Sequence, residues 1–133
     1  MDELPIVLVV EDESLLQELV KGALRHGGFD MTCSPNAAEA VELLKSGAVR
    51  YRALVTDINL QGPSNGWELA REVREIDPSF PVVYLTGVAA EEWVSQGVPN
   101  SVLLEKPFAP AQLVTAVSQL LNITDSPSIS SLD

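Results

Sequence analysis

The stretch ALVTDINL, Ala53 to Leu60, decides the fold. A mostly apolar run enters an aspartate, Asp57, and an asparagine, Asn59, follows two residues later. A run with so little polar alternation suits a strand buried on both faces of a parallel sheet. A carboxylate at its end then calls for an explanation. The same kind of run recurs as IVLVV (6–10), VVYLT (82–86) and SVLLE (101–105). DMTCS (30–34) is weaker and more polar, as an edge strand would be.

Helical periodicity fills the gaps. Leu15, Leu16, Leu19, Val20, Ala23 and Leu24 share one face, and the glycines of HGGF stop that helix. Asn36 followed by Glu39 reads as a capping box before Ala40, Val41 and Leu44. Leu69, Ala70, Val73 and Ile76 form a third stripe, ended at Asp77-Pro78. AAEEWVSQG (89–97) is a short fourth helix. Pro110 opens a fifth, with Leu113, Val117, Leu120 and Leu121 on its face. Five strands alternating with five helices predict an α/β fold, a parallel sheet covered on both sides by right-handed crossovers.

The chain has 133 residues, which suits a single domain, and its 46% hydrophobic content is that of a globular protein. We expect the domain to span 1–122, with a mobile Ser-rich tail over 123–133. Nineteen acidic residues against eight basic ones give a net charge of −11. Such a field disfavours direct binding to nucleic acid or an anionic membrane and suits a basic partner surface or a cation. The single cysteine, Cys33, forms no internal disulfide and reads as a small strand residue. The N-terminal apolar run is too short for a signal peptide or a membrane span, so a cytoplasmic protein is expected.

In open α/β sheets the ligand sits beyond the carboxyl ends of the strands. Glu11 and Asp12 follow the first strand, Asp57 ends the third, Thr86 ends the fourth and Lys106 follows the fifth. Three clustered carboxylates raise one another's pKa and call for a cation. Hard oxygen donors with room for water suit Mg²⁺.

With these pieces in place, the sequence resembles a response-regulator receiver domain of two-component signalling. The matching stretches are VLVVEDE, LVTDINL, NGWELAREVRE, VVYLTG and LLEKPF, spread over residues 5 to about 122. The resemblance implies a flavodoxin-like, doubly wound α/β fold: three layers, five helices and a sheet of order 2-1-3-4-5. It implies that Asp57 is the phosphoacceptor for a histidine kinase or histidine phosphotransfer protein. It also implies that Asp12 and Asp57 ligate Mg²⁺ together with the backbone carbonyl of Asn59, while Glu11 acts on the metal through water. Lys106 would pair with phosphoryl oxygens, and Thr86 would donate its hydroxyl as a switch. Asn59 and Val88 lie where the family tunes hydrolysis of the phosphoryl group.

Phosphorylation would then alter the surface of helix four, strand five and helix five, which a downstream protein target reads. Homodimerisation through that surface is a habit of such domains. Leu103 stands where many receivers carry Tyr or Phe, leaving Trp93 and Tyr84 as the aromatic side chains nearby. Self-phosphorylation and autodephosphorylation are the extent of the chemistry expected; an ordinary enzyme is not.

Other readings fare less well. The leading Met1 favours a stand-alone receiver over a piece of a hybrid histidine kinase. A haloacid-dehalogenase-like phosphatase needs a second aspartate two residues after the nucleophile, and Asn59 occupies that place. A flavodoxin needs a Ser/Thr/Gly-rich phosphate loop after strand one, which is missing here.

Overall fold

The computed structural model describes residues 4–87 and 90–125, except for the side chains of 90 and 123–125. Val88 and the tail from 126 onward lie outside the described residues. The elements run β1 (Ile6–Val10), α1 (Ser14–His26), β2 (Asp30–Ser34), α2 (Ala37–Ser46), β3 (Tyr51–Asp57), α3 (Gly66–Ile76), β4 (Val82–Thr86), α4 (Ala90–Gln96), β5 (Ser101–Glu105) and α5 (Pro110–Asp125). All strand pairs are parallel, in the order β2-β1-β3-β4-β5.

That order distributes the helices. The step from β1 to β2 runs one way across the sheet, and every later step runs the other way. Right-handed crossovers therefore put α1 on one face and α2, α3 and α4 on the opposite face. α5 returns to the side of α1. Strand side chains alternate between faces, so two cores form. Val7, Val9, Val55, Val83 and Leu85 pack against Val20 and Leu24 of α1 and Leu113 and Val117 of α5. Leu8, Val10, Leu54, Val82 and Tyr84 pack against Ala40 of α2 and Trp67, Leu69 and Val73 of α3.

Several expectations need correction. In α1 only Val20, Ala23 and Leu24 are buried, and Leu15 stands 80% exposed. Leu15 and Leu19 lie at the rim of the stripe, Leu19 bordering the open groove between α1 and α5. Ile76 is similarly exposed at the end of α3. β3 begins at Tyr51, two residues before the apolar run. α5 continues to Asp125, beyond the point where the periodicity lapses.

The box at α2 is only half formed. Asn36 Oδ1 accepts from the Glu39 amide at 2.9 Å, but Glu39 meets the Asn36 side chain and not its backbone. The complete capping box lies at α3, where Asn65 Oδ1 accepts from the Glu68 amide and Glu68 Oε1 from the Asn65 amide. It fixes the start of the helix that follows the Asp57 loop.

Candidate functional site

The connections step in opposite directions across the sheet on either side of β1 and β3, and the crevice at the carboxyl ends of these two strands holds the acidic residues. Leaving β1, the backbone of Glu11 is held on both sides. Its amide donates to the Ser34 carbonyl at 3.1 Å, and its carbonyl accepts from Gln17 Nε2 at 2.5 Å. Cys33 Sγ, half-buried on β2, lies 3.8 Å from the same carbonyl, and burial pushes its thiol pKa up. The Glu11 side chain is therefore turned inward and is 1% exposed. Its Oε2 accepts from the Glu13 amide at 3.0 Å, while Oε1 has no hydrogen-bond partner. Burial, reinforced by Asp57 and Asp12, raises its pKa to about 7, against the lowering by the Glu13 amide and Lys106.

Asp57 ends β3 with its side chain almost wholly buried. The strand end is rigid: the Ile58 amide donates to the Leu85 carbonyl at 3.1 Å, and Thr56 Oγ1 donates to the Asp57 carbonyl at 2.8 Å. α3 then approaches very closely. A Cβ on Gly66 would land on the Asp57 carbonyl oxygen and lie 2.8 Å from Ile58 Cα. Gly66 also donates its amide to the Ile58 carbonyl at 2.8 Å. Glycine is required here because the obstacles are backbone atoms and cannot move aside. Gly66→Ala is therefore expected to push the Asp57 turn out of place, lowering Tm by several degrees and weakening Mg²⁺ binding. Thermal melts with and without Mg²⁺ check this, and wild-type values for both would refute the close-packing argument.

Lys106 enters from the end of β5. Its amide donates to the Thr86 carbonyl at 2.7 Å, which ties the ends of β4 and β5 together. Its Nζ lies 3.3 Å from Asp57 Oδ1 and 3.9 Å from Glu11 Oε1. Thr86 is fully buried at the end of β4, beside the Leu85 that pairs with Asp57. One carboxylate oxygen from each of Glu11, Asp12 and Asp57 falls within a 4.8 Å group. Asn59 sits exposed in the turn beyond β3.

Thus Glu11, Asp12, Asp57 and Lys106 converge, and Thr86 is joined to them through backbone. Reading the strand ends did not reveal Gly66 or the Glu13 amide. The Asn65-x-x-Glu68 spacing was readable beforehand; a close approach of glycine to backbone leaves no local pattern. The donor set fits a hard divalent cation. Three carboxylates share one crevice with the Lys106 ammonium, and a buried oxygen, Glu11 Oε1, has no hydrogen-bond partner.

The fold and this constellation have well-defined relatives. Residues 7–118 match the family model described as the response regulator receiver domain. A response regulator receiver protein of Brucella abortus, CpdR, is 32% identical over 117 residues, covering 86% of this chain and 95% of its own. The transcriptional regulatory protein CusR of Escherichia coli is 31% identical over 117 residues; the chain spans half of that longer protein. A crystal structure of a receiver protein from Sinorhizobium medicae superposes with a TM-score of 0.86 at 50% identity, covering 90% of this chain and 96% of that one.

The chain belongs to the response regulator receiver domain family. Such domains are signalling modules of two-component systems and interact with histidine kinases or phosphotransfer proteins; they bind Mg²⁺ at their acidic site. Nothing in these matches points to a haloacid-dehalogenase-like phosphatase. No helix among the described residues is long and apolar enough to cross a membrane.

Proposed function

We propose that Asp57 is the phosphoacceptor, receiving a phosphoryl group from a phospho-histidine of a kinase or phosphotransfer protein. One observation carries the reading: the Asp57 carboxylate lies at a rigid strand end, 3.3 Å from the Lys106 ammonium and grouped with Glu11 and Asp12. Phosphoryl transfer asks mainly for positioning and charge neutralisation, and these residues supply both. An Asp57 carboxylate oxygen attacks phosphorus and the P–N bond of the donor breaks. The leaving imidazole keeps the electron pair, and an acyl phosphate results. Lys106 meets the charge on the phosphoryl oxygens. Thr86, beside it at the end of β4, offers the hydroxyl that distinguishes the modified state.

Asp12 and Asp57, with the Asn59 carbonyl, would hold Mg²⁺, and Glu11 would reach it through water. Bound there, the ion supplies positive charge that shields nucleophile and phosphoryl oxygens from one another. Hydrolysis of the acyl phosphate by the domain itself, with Asn59 setting its pace, belongs to the same reading. The reader of the modified surface is a protein; the acidic surface disfavours nucleic acid.

The test is intact mass after incubation with acetyl phosphate. We expect one phosphoryl adduct per chain with Mg²⁺, cleaved by hydroxylamine, and none with chelator. An adduct that forms equally well in chelator would overturn the metal assignment, and one that resists hydroxylamine would overturn the acyl phosphate.

A further inference from the structure

Tyr84 precedes Thr86 by two residues on β4, so both side chains leave the sheet on the same face. Its ring is wholly buried and tilted against Trp67, with centroids 4.7 Å apart. Burial raises the phenol pKa, so the hydroxyl stays neutral. That hydroxyl oxygen accepts from the Val98 amide at 3.0 Å. The Val98 carbonyl accepts from Ser101 Oγ at 2.6 Å, and Ser101 Oγ accepts from Trp93 Nε1 at 3.0 Å. A continuous hydrogen-bonded chain therefore runs from β4, whose end borders the acidic crevice, to the half-buried indole of α4.

The turn between α4 and β5 is held from its other side as well. Arg71 of α3 donates to the Gln96 carbonyl at 3.3 Å and to its side-chain oxygen. Arg74 donates to the Asn100 carbonyl at 3.3 Å. Gly97 lies so close to Trp93 that a Cβ would land on the indole. Leu103, paired with Tyr84 across the β4–β5 register, offers no polar atom on its side chain. The Tyr84 hydroxyl thus gives this face of β4 a side-chain polar connection to the turn.

We propose that Tyr84 is a positioning residue that ties the Thr86-bearing strand to α4, so that a change at Asp57 is read at Trp93. The proposal rests on Asp57 being the phosphoacceptor. Hydrogen-bonded chains of this kind transmit a displacement because each link is directional, and here the Tyr84–Val98 link is buried and the other two half-buried. The coupling acts on the output face and leaves acceptance of the phosphoryl group alone.

Tyr84→Phe keeps the ring and its packing on Trp67 and removes the hydroxyl that accepts from Val98. The full chain is treated with acetyl phosphate and Mg²⁺, mass gives the adduct, and NMR follows the shift of the Trp93 indole N–H between the untreated and phosphorylated states of each chain. We expect the variant to reach the wild-type extent of phosphorylation while its Trp93 response shrinks about threefold or more. A residue that merely packs would leave that response intact, since Phe packs alike. Ser101→Ala cuts the chain one link further on and makes the same test if Tyr84→Phe does not fold. An undiminished Trp93 response in a phosphorylated variant overturns the proposal, as does a phosphorylated wild type with no response at Trp93. A wild-type chain that takes no adduct at all overturns the phosphoacceptor reading and this proposal with it.

Discussion

Asp57→Asn is expected to abolish phosphoryl labelling, by a factor of about 100 or more, while leaving the fold intact. An amide is nearly isosteric with the carboxylate but is no nucleophile toward phosphorus. The substitution also takes one negative charge out of a group in which three carboxylate oxygens lie within 4.8 Å. Lys106 loses its 3.3 Å partner but keeps Glu11 at 3.9 Å. Like-charge relief and the lost ion pair then oppose each other, so Tm should move by only a few degrees in either direction. Time courses of intact mass with acetyl phosphate, beside thermal melts, check both halves. Labelling at the wild-type rate in the variant would sink the assignment of Asp57.

The second large effect concerns pH. Glu11 titrates at about 7 in the fold against 4.5 in its absence, chiefly because its carboxylate is buried. Between those values the folded chain binds more protons than the unfolded one. Stability from this group is therefore complete below about pH 4.5 and is lost as pH rises through 7. The whole shift corresponds to about 3 kcal/mol. A metal-free preparation should melt several degrees lower at pH 8 than at pH 5.5, and Mg²⁺ should restore the difference at pH 8, where Glu11 is ionised. Mg²⁺ affinity should fall below pH 7, by up to about tenfold per unit. Glu11→Gln should flatten the metal-free profile, because a neutral amide has nothing to titrate. Melting curves across that range decide the matter; an equally steep profile in Glu11→Gln would place its origin elsewhere.

The strand ends were the legible part of this protein. Doubly buried parallel strands must be written as apolar runs, so a polar residue at the end of one marks the crevice. Glu11, Asp57, Thr86 and Lys106 were found in this way. Strand order was not legible from periodicity, which says which face a residue takes but not which strand lies beside it; it came with the family resemblance. Leu15 and Leu19 misled because a helical stripe shows apolar spacing without showing how wide the covering surface is. Tyr51 and Arg52 were missed as strand because Arg52 interrupts the apolar run. Gly66 and the Tyr84–Val98–Ser101–Trp93 connection depend on contacts between distant parts of the chain, and such contacts leave no local signature.

The sheet keeps its two cores apart, with α1 and α5 over one and α2, α3 and α4 over the other. Among the described residues the buried apolar side chains of the two sides form separate clusters, divided by the strand backbone. Changes in one layer are therefore largely insulated from the other and combine almost independently. Substitutions in the helices of one face can accumulate without disturbing the packing of the other. The acidic crevice, built at the seam where both layers end, stays common to the two.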